Sequence, residues 1–139
     1  AKALKVQYGI GAFVCDPSEP AYIRQFNDAG LRAVGAVNDI APGIQAVKSR
    51  LVVQPDGLAR LYLVQGALEA TDPTLEEAKR PTCTDEELTV YVWPKGADGK
   101  PIKEVPVDEH NHGLDAARYT CLYVDAGPGT VTIGGNVFY

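Results

Sequence analysis

The stretch from Ile10 to Val37 restricts the fold more than any other part of the chain. Ile10-Gly11-Ala12-Phe13-Val14-Cys15-Asp16 is a short apolar run of β-formers closing on a carboxylate, the pattern of a buried strand. Pro17-Ser18-Glu19-Pro20 breaks it; Ser18 is a suitable helix cap and Pro20 is tolerated in a first turn. A helix follows through Ala21–Ala29, with Tyr22, Ile23 and Phe26 as its apolar face and Gly30 as its stop. Leu31–Val37 reads as a second strand ending at Asn38-Asp39. Strand, helix and strand with short links make the βαβ unit of a parallel sheet and an α/β chain. In such sheets ligands collect at the carboxyl ends of strands, where Asp16 and Asp39 stand; Asp39 is equally suited to cap the next helix.

The following segments are less regular. A helix is predicted from about Pro42 to Leu51, burying Ile44, Val47 and Leu51, with Lys48 and Arg50 on its other sides. Pro55-Asp56-Gly57 is a turn, and Leu58–Val64 alternates loosely enough for a third strand. Thr71–Lys79 reads as a short surface helix capped by Thr71 or Asp72. Thr84-Asp85-Glu86-Glu87 has the form of a capping box, and Tyr91-Val92-Trp93 favours strand. Pro94–Pro101 is a loop, and Ile102–Val107 alternates. A helix is predicted over Gly113–Val124, with Leu114, Ala117, Cys121 and Leu122 on one side and Arg118 on another. Gly127-Pro128-Gly129 ends the pattern, and residues 130–139 form either a hairpin across Gly134-Gly135 or a tail. The expected division is residues 1–125 and a terminal piece, 126–139.

Composition removes some functions. The net charge of −5 gives no basic footprint, which argues against non-specific DNA binding by overall charge. It leaves room for a metal-dependent nuclease, whose site acids add to the negative sum. No apolar run approaches the ~20 residues of a membrane helix, and no signal peptide opens the chain, so no membrane association is expected. Cys15, Cys83 and Cys121 form no CxxC; Cys15 and Cys121 read as buried small hydrophobes, and a reducing intracellular setting fits. Methionine is absent, and Ala1–Gly9 reads as the tail of a helix, so the chain is expected to be part of a longer protein.

Chemistry concentrates in Asp108-Glu109-His110-Asn111-His112-Gly113-Leu114-Asp115, which holds both histidines. His112 and Asp115 are three apart, on one face of a helix, and an imidazole with a carboxylate can take a divalent metal. The alternative is a plain helix start, with Asn111 as N-cap and acids near the positive end of the dipole. Asp16 and Asp115, from distant parts of the chain, are the carboxylates suited to Mg²⁺ or Mn²⁺. His110-Asn111-His112 is not an HNH nuclease motif, whose residues are spread over a ββα-metal unit.

Taken in order, Asp16-Pro17-Ser18-Glu19-Pro20, Asn38-Asp39, Gly43-Ile44 with Val47 and Leu51, Glu87 with Tyr91 and Trp93, and Pro106 through Tyr119 resemble the C-terminal nuclease domain of tailed-phage large terminase subunits. The resemblance spans about residues 1–124, and Asn111-His112-x-x-Asp115-Ala-x-Arg118-Tyr119 is its most specific piece. It implies a ribonuclease H-like mixed sheet flanked by helices. It also implies a metal-dependent endonuclease that cuts concatemeric double-stranded DNA during packaging, with two metal ions about 4 Å apart.

The implied partners are double-stranded DNA, the portal, the small terminase subunit and an N-terminal ATPase domain, in a host cytoplasm. Of the family's three acidic ligands, Asp16 matches the second and Asp115 the third, while His112 matches a position that assists metal binding. Arg118 and Tyr119 match as packing and salt-bridging residues. Lys48, Lys95, Lys100 and Lys103 are candidates for phosphate contact, against a plain reading as solvated residues. No first acidic ligand matches here, so the expected fold lacks its N-terminal strands, the chain alone is expected to cut little or no DNA, and the sheet edge beside Ile10–Cys15 invites self-association. The alternatives are an inactive prophage remnant or docking module, and a resolvase of the same fold.

Overall fold

A computed structural model describes residues 1–139 except 65, 69, 128–130, 134, 135 and 139. Its elements run α1 (Lys2–Tyr8), β1 (Phe13–Cys15), α2 (Pro20–Asp28), β2 (Ala33–Gly35), α3 (Ile40–Leu51), α4 (Pro73–Glu77), α5 (Thr84–Val90), α6 (His112–Ala126), β3 (Val131–Ile133) and β4 (Asn136–Phe138). The chain is mixed helix and strand, broadly α/β, with one parallel strand pair. Two compact units divide it, residues 1–46 with 116–139 and residues 47–115.

The first unit contains the predicted βαβ. β1 and β2 pair in parallel, Phe13 with Ala33 through Cys15 with Gly35. The ladder extends one residue at each end, where Phe13 N–H donates to Arg32 O (2.8 Å) and Ala36 N–H to Cys15 O (2.8 Å). α2 starts with Pro20 in its first turn, but Ser18 does not cap it; Ser18 N–H instead donates to Asp16 Oδ1 (2.8 Å) in a tight turn. Phe26 of α2 meets Phe13 of β1 edge to face, ring centroids 5.5 Å apart, a geometry that adds to simple burial. α2 packs on β2 at Gly35, where a Cβ would be in ordinary contact with Ile23 Cδ1 at 3.7 Å.

Asn27 completes the join between α2 and β2. Its amide nitrogen donates to Ile23 O (2.9 Å) and Ala33 O (3.0 Å), and its Oδ1 accepts from Ala33 N–H (3.0 Å). Because neighbouring residues of a strand bond to opposite sides, Ala33 faces away from β1, and the Asn27 carboxamide occupies that edge. Among the described residues of this unit, Leu31, Ala33, Val34, Ala36, Ile44, Tyr119 and Cys121 are buried. Cys15 is only half-buried, contrary to its reading as a core residue.

Arg118 is also buried, at 4% exposure, on the side of α6 that the sequence assigns to Leu114 and Cys121. Its Nη2 donates to Asn38 Oδ1 (3.3 Å), and its aliphatic stem passes so close to α3 that a Cβ on Gly43 would stand 3.1–3.3 Å from three of its carbons. An amphipathic stripe drawn from apolar residues alone misses such a residue, because arginine buries its stem while its head hydrogen-bonds. β3 and β4 pair antiparallel, Ile133 with Asn136, as a hairpin; the predicted Gly134-Gly135 turn, like Pro128-Gly129, Thr130 and Tyr139, lies outside the described residues.

The second unit is looser. The turn at Pro55-Asp56-Gly57 forms, with Gly57 N–H on Gln54 O (2.8 Å) and Leu58 N–H on Asp56 Oδ1 (3.1 Å). The predicted third strand at 58–64 does not: the described residues there join no ladder, and Leu58, Tyr62 and Val64 are 56%, 63% and 77% exposed. Ala59 N–H goes to the Tyr62 hydroxyl (3.0 Å), a local bond in place of a ladder.

α4 is shorter than predicted and is capped by Asp72, whose Oδ1 accepts from Thr74 N–H (2.9 Å). Tyr91–Trp93 is not an assigned strand, yet residues 92–107 fold back as an irregular hairpin. Val107 N–H bonds Val92 O (2.9 Å), Ile102 N–H bonds Pro94 O (2.8 Å), and Gly96 N–H bonds Lys100 O (2.8 Å). Pro94, Pro101 and Pro106 lack the donors that a continuous ladder needs. No described helix is long and apolar enough to cross a membrane.

Candidate metal centre

The predicted site residues fall in both units: Asp16 in the first, His112 and Asp115 in the second. Asp16 follows β1 directly, at the carboxyl end of a parallel strand, as the βαβ pattern predicts. It is exposed, and its acceptance of Ser18 N–H orients the carboxylate at the strand end.

His112 and Asp115 begin α6. Asn111 precedes it, and its carbonyl accepts from Asp115 N–H (2.8 Å). Its side-chain nitrogen donates to Asp108 Oδ1 (3.2 Å), which folds the approach segment onto the helix start. His110, immediately before, has φ +51°, a left-handed conformation costing a side-chain-bearing residue about 1–2 kcal/mol. His112 is exposed and Asp115 half-buried, one turn apart on the same face.

The carboxylate that holds this helix start is Glu87, from α5. Its Oε1 accepts from Gly113 N–H (3.1 Å) and its Oε2 from Leu114 N–H (2.9 Å), satisfying two amides that a helix leaves without partners at its N-terminus. The predicted capping box is therefore not made: α5 begins at Thr84 after Cys83 with no side-chain cap, and Glu87 serves another helix. The Thr84 side chain lies so close to Gly113 that a Cβ there would overlap Thr84 Oγ1 and stand 3.0 Å from its Cβ. The sequence carried one sign of this, a glycine in the first turn of a helix, where it is a poor helix former unless something must come near.

The lysines separate by environment. Lys48 Nζ lies 5.2 Å from the Trp93 ring centroid, a cation–π contact at the base of the 92–107 hairpin. Trp93 Nε1 donates across that hairpin to Glu104 O (3.3 Å). Lys95, Lys100 and Lys103 are exposed along it. A groove of about 500 Å³ beside α5, lined by Glu76, Lys79, Arg80, Thr82 and Glu86 among others, includes none of the predicted site residues.

The cysteines offer no activated nucleophile. Burial pushes the Cys15 thiol up, and the hydrogen bond from Cys83 Sγ to Asp85 Oδ1 (2.9 Å) holds the Cys83 thiol above its ordinary value.

The Asp115 carboxylate and the His112 imidazole one turn before it are donor types that suit a divalent cation, and Asp16 offers a further carboxylate within the other unit. Among the described residues, no group of three or more His, Cys, Asp or Glu is arranged to hold a metal. Compared with protein families, with curated proteins and with solved structures, the chain matches none.

Proposed function

We propose that the chain carries part of a metal-dependent nuclease site of the large-terminase type, acting on double-stranded DNA through a ribonuclease H-like fold. The observation that most supports this reading is the start of α6. There the motif residues Asn111, His112, Gly113 and Asp115 share one turn that Glu87, another residue of the resemblance, holds by two hydrogen bonds. Arg118, further along the motif, bonds Asn38 and packs on Gly43, which belong to the same resemblance. The motif positions without a ligand role thus have structural work that accounts for their residue types.

In this reading Asp16 and Asp115 hold Mg²⁺ or Mn²⁺, with His112 assisting. When bound, a metal pair of this kind activates a water and stabilises the leaving oxygen of a phosphodiester. Asp16 contributes a carboxylate oriented at the end of β1 by the Ser18 amide. Lys95, Lys100 and Lys103 neutralise phosphates along the hairpin, while Lys48 supports its base on Trp93. The family's first acidic ligand has no match here, so this polypeptide binds the ion without cutting efficiently.

Isothermal titration with Mn²⁺, together with plasmid cleavage, tests the reading. Binding that Asp16→Asn and Asp115→Asn each weaken, with little nicking, is expected. Mn²⁺ affinity unchanged in both variants would refute the site. For DNA, replacing each hairpin lysine by glutamine should lower the slope of log affinity against log salt by about 0.9.

A further inference from the structure

Glu87 is a buried carboxylate whose burial no local need explains. Taking a carboxylate out of water costs several kcal/mol unless it is hydrogen-bonded. The two amides at the start of α6 meet that condition at 3.1 and 2.9 Å. A residue next to the helix would satisfy the same amides without crossing from another element. What a distant residue adds is position. Glu87 is twenty-six residues before Gly113, so its two bonds fix the first turn of α6 against α5 as well as capping it.

Two further constraints meet at that turn. Gly113 lies against Thr84 with no room for a Cβ, and His110 turns the chain into the helix in a left-handed conformation. His112 and Asp115 project from this turn. Charge points the same way. A dication beside Asp115 sits near the positive end of the α6 dipole, which opposes it. The negative charge of Glu87, placed on the very amides that carry that partial charge, offsets the opposition.

We propose that Glu87 is a positioning residue for a divalent-cation site at His112 and Asp115, holding the first turn of α6 and neutralising its positive end. The proposal rests on the reading of those two residues as metal ligands. It predicts that cation affinity depends on a side chain that does not touch the cation. Loss of such an outer partner typically weakens metal binding by about tenfold to a hundredfold.

The test is Mn²⁺ titration of the full chain, with free Mn²⁺ read by electron paramagnetic resonance and the bound ion located by broadening of the His112 ring signals. Unfolding midpoints are measured alongside. Glu87→Gln keeps one acceptor and removes the charge, and is expected to lose about tenfold or more in affinity. Glu87→Asp keeps the charge with one methylene less reach and should lose less; it carries the test if the glutamine variant does not fold. Val47→Ala, at a buried position of the same unit away from the first turn of α6, should lower the unfolding midpoint and leave Mn²⁺ affinity in place, a pattern a merely structural role for Glu87 would share. Wild-type affinity in a folded Glu87 variant, with Asp115→Asn still losing the ion, overturns the positioning role and leaves the metal site standing. Absence of His112 broadening in the wild type overturns both.

Discussion

The two compact units differ in how many apolar residues they bury, although each leaves some exposed, Val6, Tyr8, Tyr22 and Val124 in the first. In residues 1–46 and 116–139, Leu31, Ala33, Val34, Ala36, Ile44, Tyr119 and Cys121 are all buried around a parallel ladder. Among the described residues of 47–115, Val47, Leu114 and Pro106 reach that level, while Val52, Val53, Leu58, Tyr62, Val64 and Ile102 are more than half exposed. The second unit is organised by single polar contacts instead: Asp56 on Leu58, Asp72 on Thr74, Glu87 on Gly113 and Leu114. Repeated backbone pairing brings apolar side chains into a shared layer. A chain interrupted by prolines at 55, 73, 81, 94, 101 and 106 cannot pair for long, and each turn must be fixed separately. Neither α1 nor α2 of the first unit has a buried residue; α1 is tied down by the Lys5 ammonium on Gly30 O (3.0 Å).

The contrast is easiest to break at its strongest point. Tyr119→Ala removes a side chain 5% exposed and should cost about 3–5 kcal/mol, read by urea denaturation. A loss under about 1 kcal/mol would mean that the first unit's core is not where its stability lies. Next, Gly113→Ala forces a methyl into the space held by Thr84 Oγ1 and should cost about 1–3 kcal/mol, despite alanine's better helix propensity. Thr84→Ala in the same chain should recover part of that loss, since it removes the nearest atom. A gain in stability from Gly113→Ala alone would show that the α5–α6 approach is looser than described.

Smaller still, Leu58→Ser and Val64→Thr should each change stability by no more than about 0.5 kcal/mol, because little area is lost from burial. Costs like those of Tyr119→Ala would erase the distinction between the units. The least effect is expected from acid. The Arg60 guanidinium beside Asp56, and the Thr74 hydroxyl and amide beside Asp72, hold both carboxyls below their ordinary range. With the folded value below the unfolded one, the stabilisation is complete above the ordinary carboxylate pKa and disappears as pH falls through the depressed value. Both groups are fully exposed, so the loss should show locally. The protection of the Thr74 and Leu58 amides against exchange, relative to an unstructured peptide at the same pH, should fall in acid, and Asp72→Asn should remove that pH dependence at Thr74 alone.

Sequence reading performed well where the period of the pattern and the backbone agreed. The βαβ of 10–37 is legible because apolar runs, a proline in a first turn and a stopping glycine all specify the same thing, and the structure shortens its strands without moving them. Ile44 and Val47 are buried as the helical period predicts, but Leu51, at the end of α3, is 38% exposed. The third strand failed because Leu58–Val64 has strand-forming residues and no partner ladder, which a single segment cannot reveal. Glu87 was read as a local cap for the same reason: its true contacts lie across α5 and α6. Around the candidate residues, what was legible is local structure: the strand that ends before Asp16 and the helix that carries His112 and Asp115. Arg118 was assigned to the wrong side because its charge hid the length of its buried stem.

Asn27 gives the sheet a chemical clock. Its carboxamide occupies both backbone groups of Ala33 on the rim of β2. Hydrolysis of that amide to aspartate would exchange a donor for an acceptor facing the carbonyls of Ile23 and Ala33, and the edge would open to a strand from another molecule. In aged samples fractionated by size, peptide mapping should then find the converted residue concentrated in the larger species; an even spread would exclude the link. On this account the closure of the β2 edge rests on one side-chain amide.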